Sequence, residues 1–184
     1  MEKYLQKVFS LLIAVMLCVV LCVQSNIFAQ DQKPSEYQVK AAFLYNFTKF
    51  VEWPTTDTKE VIILGVFGED PFSAALNEIE GKIIKGKKLV VNRVKSVKNL
   101  TGCHILFISK SEKNNLDQIL LTLKGSHILT VGDTDGFAQK GLIINFYIEQ
   151  DKVRFEINVK AAKRAGLGIS SNLLKLSKIV HETQ

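Results

Sequence analysis

Cysteine, histidine, proline and tryptophan are all scarce in this chain of 184 residues, which has three, three, three and one of them. Two of the cysteines, Cys18 and Cys22, lie in an N-terminal apolar segment, so Cys103 stands alone in the remainder. A single thiol excludes an internal disulfide, and the fold must be held by its core. Cys103 reads as a buried thiol in a strand, with pairing to another chain as the alternative. His104, His127 and His181 include no pair at metal-ligand spacing on one element. Cys103 and His104 are neighbours in an expected strand, so their side chains point to opposite faces and form no Cys-His couple. A GxSxG elbow and a phosphate-binding glycine loop are both missing. No catalytic residue, cofactor or metal is expected.

Charge of one sign is also not concentrated. The 24 basic and 18 acidic residues are interspersed, and the densest basic cluster is Lys82, Lys85, Lys87 and Lys88 near an expected turn. It lacks interleaved aromatics, so it reads as a solvated turn and nucleic acid is not an expected partner.

There is one long apolar run, Val8 to Val23. Lys3 and Lys7 precede it, and Gln24, Ser25 and Asn26 follow, before Ile27-Phe28-Ala29. That layout is a secretory signal peptide over residues 1–29, cut near Ala29, with an uncleaved anchor as the alternative. Bulky Leu17 and Leu21 before the two cysteines argue against a lipoprotein. Its removal takes away Glu2, Lys3 and Lys7, so net charge drops from +6 to +5. The remaining residues 30–184 suit one exported domain, large enough to bury roughly two-thirds of its unfolded surface.

Within that domain helical and strand periods alternate. Residues 35–53 are helical, opening with Ser35 and Gln38 at capping-box spacing. Val61–Phe67 and His104–Ser109 are continuous apolar runs of strand length, as expected for buried strands. Lys88–Val94 and His127–Val131 are further strands. Asp70-Pro71 starts a helix that ends at Gly81, and another spans about residues 113–124. GDTDG at 132–136 is a loop. Residues 142–148 and 152–157 form a hairpin, without the Asn-Gly pair of the tightest turns. Asn158 caps a helix stopped by Gly166, and Ser170 or Ser171 caps the last one. The expected fold class is α/β: a single-domain sandwich with a mixed β-sheet flanked by helices.

The stretch AAFLYNFTKFVEWP at 41–54 is the most aromatic in the chain. Rotation at 100° per residue gathers Ala42, Val39, Phe50, Phe43, Phe47, Val51, Leu44 and Tyr37 on one arc, as a helix docked on a sheet requires. Core packing therefore accounts for the phenylalanines. Tyr45, Lys49 and Glu52 lie opposite, on a face open to a partner. Asn46 falls inside the apolar arc, where a buried amide needs hydrogen bonds, and Trp53 stands at the helix end before Pro54. Two further sites are candidates for a ligand: Asp133 and Asp135 in the glycine-flanked loop, and the helix starts at Asn158 and at Gly168, Ser170 and Ser171, whose N–H groups suit a small anion. Ordinary capping explains the latter equally well.

Three separated stretches resemble the YfiR family of exported regulators. They are AAFLYNFTKFVEWP, GEDPF (68–72) with CHILFIS (103–109), and the segment from Gly136 to Val180 containing FEINVKAAKRAGLGISSNLL. The resemblance runs over essentially the whole exported domain in the family's order. It implies a non-catalytic periplasmic protein with an α/β fold around a mixed sheet. The best-known member of that family represses a membrane-bound diguanylate cyclase through its periplasmic sensor domain, and release raises cyclic di-GMP and favours biofilm. Related domains also occur fused to sensor kinases. The partner implied is thus the periplasmic domain of an inner-membrane signalling protein, with a homodimer also open. Redox-responsive disulfides occur in some members, and the solitary Cys103 departs from that pattern. The competing reading is a periplasmic small-ligand-binding sensor module, walled by the 132–136 and 166–171 loops.

Overall fold

The apolar run Val61–Phe67 becomes the strand around which the rest is arranged. A computed structural model describes residues 1, 3, 4, 6, 7, 9, 10, 12, 16, 33–54 and 60–183. The chain divides into two compact units, Met1–Pro34 and Ser35–Gln184. In the first, the described residues between 3 and 16 are helical. Most of the expected signal segment, and its cut near Ala29, lies outside the described residues. Among those described, no helix is long and apolar enough to cross a membrane.

The second unit begins with helix α1 (Glu36–Phe50) and runs through strands β1 (Val51–Glu52), β2 (Val61–Phe67), β3 (Ile83–Ile84), β4 (Lys87–Val94) and β5 (Ile105–Ile108). Helix α2 (Leu116–Thr122), β6 (Leu129–Gly132), β7 (Ile144–Glu149), β8 (Lys152–Asn158), α3 (Val159–Arg164), β9 (Gly168–Ile169), α4 (Ser171–Lys175) and β10 (Lys178–Val180) follow. Eight strands form one mixed sheet in the order β10-β8-β7-β6-β5-β2-β4-β3, and β1 with β9 forms a separate two-stranded one. β2 is parallel to both β4 and β5, β5 to β6, and β6 to β7. The β7–β8 and β3–β4 hairpins are antiparallel, and β10 returns parallel to β8. Helices flank this sheet, as the α/β expectation requires.

The parallel strands are buried because both faces are covered. α1 lays Ala41, Leu44 and Phe47 on one face, against Leu64, Val66, Ile105, Phe107, Leu129 and Val131. Phe47 stacks on Phe146 at 5.7 Å between centroids and meets Phe155 edge-on at 5.1 Å. Truncating such a fully buried ring costs about 3–5 kcal/mol. On the other face α2 packs Leu116 and Ile119 with Leu106 and Ile108. Cys103 is buried there. Gly65 makes room for it: a Cβ on Gly65 would lie 2.5 Å from Cys103 Sγ.

Several local expectations are corrected. α1 stops at Phe50 rather than running to residue 53, because Val51 and Glu52 are taken by β9. Its buried face is rotated: Ala42 is exposed while Lys40 and Thr48 are buried, since Lys40 reaches a carboxylate and the Thr48 hydroxyl donates to the Tyr45 carbonyl at 2.6 Å. The segment after Pro71 is a 3-10 helix, Ser73–Glu78, and Asp70 Oδ1 accepts from the Phe72 N–H at 2.8 Å instead of capping an α-helix. Residues 110–115 are likewise 3-10, with α2 proper starting at Leu116. The strand read from His104 and the one read from His127 both begin later, at Ile105 and Leu129, and Gly132 ends β6 rather than opening the loop. The β7–β8 turn is a tight two-residue one despite lacking Asn-Gly, with Gln150 and Asp151 at φ +50° and +57°. Both backbones adopt the left-handed region that this turn type demands.

Candidate functional site

The two most distinctive stretches of the sequence meet in space. β1 and β9 pair antiparallel, Val51 with Ile169 and Glu52 with Gly168. The Ser170 N–H donates to the Phe50 carbonyl at 3.0 Å, and the Ser170 hydroxyl accepts from the Leu173 N–H at 3.3 Å to cap α4. Gly168 permits the close approach, because a Cβ there would stand 3.2 Å from the Glu52 side chain. Ser171 is the first residue of α4 and is exposed. The 166–171 link is thus a joint that fixes the end of α1.

Beyond that end lies a cleft of about 300 Å3 whose walls include Thr48, Glu52, Trp53, Ile84, Lys85 and His104. Trp53 meets the His104 ring edge-on at 6.2 Å. His104 Nδ1 accepts the Ile63 N–H at 3.0 Å, which leaves the ring proton on Nε2. The indole Nε1 of Trp53 is buried without a hydrogen-bond partner among the described residues. A buried donor of this kind favours an acceptor brought by a bound group.

The exposed side of α1 continues this surface. Lys49 Nζ sits 4.1 Å from the Tyr45 ring centroid and Lys82 Nζ 5.2 Å from it, so two ammonium groups share one ring. Asn46 is only partly buried, and its Oδ1 accepts from Lys49 Nζ at 3.1 Å. The expected buried anchor is therefore a surface clip. Lys82 and Lys85 come from the β3–β4 hairpin, whose turn holds Lys85 and Gly86 at φ +49° and +83°. The basic turn, read from sequence as merely solvated, thus adjoins the aromatic helix. Tyr45, Lys49, Lys82, Lys85 and Trp53 make a basic face with an apolar notch. Sequence reasoning found the helix residues and missed the hairpin lysines, because nothing local ties residue 82 to residue 45.

The remaining candidates are elsewhere. Asp133 is buried in an ion pair with Lys40 at 2.6 Å, and Lys40 also reaches Glu36 at 2.5 Å. The Tyr37 hydroxyl donates to Asp133 at 3.0 Å. Burial, and then the Asp133 charge, push the Tyr37 phenol well above its ordinary range. Asp135 is exposed, and the described residues contain no group of three or more His, Cys, Asp or Glu able to hold a metal. Asn158 is fully buried: its Oδ1 accepts from the Ala161 N–H at 2.9 Å and its Nδ2 donates to the Ala138 carbonyl at 2.8 Å.

The DUF4154, YfiR/HmsC-like, family matches residues 37–178, which takes in α1, the whole sheet into β10 and the joint between them. The chain belongs to the YfiR/HmsC-like family. That family is one of periplasmic regulators that act through a protein partner. No curated protein matches the chain. Among solved structures, an ABC domain from Streptococcus pneumonia, in complex with L-Trp, is similar at 11% identity with a TM-score of 0.52. It aligns with 78% of this YfiR/HmsC-like chain and 60% of its own. A conserved domain protein from Vibrio cholerae O1 biovar El Tor is similar at 11% identity and a TM-score of 0.51, over 80% of this chain and 60% of its own. The YfiR/HmsC-like chain therefore spans about three-fifths of these neighbours, and the likeness establishes the α/β fold alone.

Proposed function

We propose that the protein is exported, with residues 1–29 removed, and that it binds and represses the periplasmic sensor domain of an inner-membrane signalling protein, a diguanylate cyclase controlling cyclic di-GMP and biofilm. The observation that carries this reading is the basic face around the end of α1. Lys49, Lys82 and Lys85 surround Tyr45 and the Trp53 cleft there, at the point where the two family-specific stretches are joined. Half-buried aromatic rings and exposed cationic side chains beside a small apolar notch suit an acidic partner surface that presents one apolar anchor residue. The protein contributes no chemistry in this role; it acts by occupying the sensor domain.

The test is cellular cyclic di-GMP in the native host with the gene deleted, then restored as wild type or as Lys49→Glu/Lys85→Glu. A rise on deletion, reversed by the wild type and not by the charge-reversed protein, is the expected result. An unchanged level, with the protein demonstrably present in the parent strain, overturns the repressor reading.

A further inference from the structure

A second cleft, of about 710 Å3, opens between α2 and α3 and shares no lining residue with the Trp53 cleft. Its volume falls within the range of small-molecule sites. Leu120, Leu123, Ile128 and Ile143 supply an apolar wall, and Lys124, Lys140 and Arg164 supply cations, with Glu182 as the one carboxylate in the lining among the described residues. Glu182 is already engaged. Its Oε1 accepts from Arg164 Nη2 and also from the Nδ2 of fully buried Asn158 at 3.3 Å. Gly141, at φ +108°, flanks the same oxygen, and a Cβ there would stand 3.5 Å from it. The Thr183 N–H donates to the Gln139 carbonyl at 3.2 Å and so holds the Glu182 segment against the cleft. Lys124 and Lys140 have no carboxylate partner among the described residues.

A guanidinium and a buried side-chain amide converging on one oxygen form a carboxylate seat. The surplus of cations around it exceeds what Glu182 neutralises. We propose that this cleft binds a small organic acid with an apolar body, and that Glu182 is an internal competitor for the acid's seat. Binding then exchanges one carboxylate for another at Arg164 and Asn158, seats the apolar body against Leu120, Leu123 and Ile128, and frees the segment 181–183. An aqueous anion alone would gain little, since it replaces Glu182 without covering the wall. The segment's release gives the domain a ligand-dependent surface separate from the basic face.

Calorimetric titration of the protein with 3-phenylpropionate and hexanoate, with 3-phenylpropanamide as the neutral control, tests this. The acids are expected to bind at millimolar concentration and the amide not to bind. Glu182→Gln keeps the shape and removes the competing charge, so it should tighten the acids about tenfold. Arg164→Gln, at an exposed side chain, should weaken them about tenfold while lowering the melting temperature by only a few degrees, through the lost Glu182 contact. Lys140→Gln provides a second variant and should weaken them about twofold, less so at high salt. Equal binding of acid and amide, unchanged affinity in Arg164→Gln and Lys140→Gln, or no heat from either acid with Glu182→Gln overturns the proposal.

Discussion

The backbone N–H of Ser170 donates to the carbonyl of Phe50 at 3.0 Å, and this bond ties the last turn of α1 to the start of α4. The end of α1 is thereby set by a segment far along the chain. Val51 and Glu52 have no helical fate open to them once Ile169 and Gly168 claim their backbone. Trp53, which follows directly, inherits its position from that pairing. The cleft beside it is a consequence of tertiary pairing rather than of the helix.

Ser170→Pro isolates this joint. The native φ of −62° suits proline, so the substitution removes the N–H and the capping hydroxyl without forcing the backbone. The loss is expected to be about 2 kcal/mol, from one cap and one hydrogen bond. Trp53 is the sole tryptophan, so its fluorescence should shift to the red as the cleft loosens. An unshifted spectrum at equal destabilisation would separate the joint from the cleft.

Lys49→Glu addresses the partner surface itself. Lys49 is exposed, and its contacts are the Tyr45 ring and Asn46. Surface contacts of these kinds are each worth about 0.5–1 kcal/mol or less. Charge reversal should therefore leave the melting temperature within a few degrees while weakening capture of the sensor domain at least tenfold, measured by pull-down or titration. A large drop in stability would instead make Lys49 part of the fold.

How much of this was legible follows from what each residue's neighbours are. Phe47 lies on a 3.6-residue period and β5 is a continuous apolar run, so their burial could be read locally, and the mixed α/β sheet followed from element order. The caps at Ser35 and Asn158, and the last one to within Ser170 or Ser171, were legible for the same reason, since each of Ser35, Asn158 and Ser170 answers a backbone N–H three residues on. Lys40 was not: a buried lysine makes sense only once Asp133 is brought 2.6 Å from it. Asp133 accordingly read as a possible ligand site when it is committed to an internal ion pair. The hairpin lysines and the cleft between α2 and α3 depend on several elements at once, and no single stretch encodes them.

That ion pair supplies a further prediction. Lys40 and Asp133 are both nearly excluded from solvent, while Glu36, the other carboxylate at Lys40, is half exposed. Asp133→Ala leaves an ammonium buried with only a wet partner and should cost about 3 kcal/mol. Adding Lys40→Met removes the stranded charge and should recover most of that loss, because an apolar chain of similar length fills the same space. The double variant, followed by urea denaturation, distinguishes ion pairing from simple packing: no recovery would mean that Asp133 matters through Tyr37 or the loop backbone instead.

The seat at Arg164 predicts a pH dependence with a definite sign. The Arg164 hydrogen bond, acting against partial burial, holds the Glu182 carboxyl below its ordinary 4.5. Between that lowered value and 4.5 the unfolded chain binds more protons than the folded one, so this group's contribution to stability rises with pH across the window. It is fully present above 4.5 and is lost as pH falls through the folded value. Glu182→Gln has no such window. The difference in urea midpoint between wild type and Glu182→Gln should hold constant well above pH 4.5 and shrink below it, and protection of the Thr183 amide from hydrogen exchange should fall over the same range. Parallel midpoints through the whole acid titration would mean that Glu182 is not held by Arg164 in solution, and the carboxylate seat would lose its internal occupant.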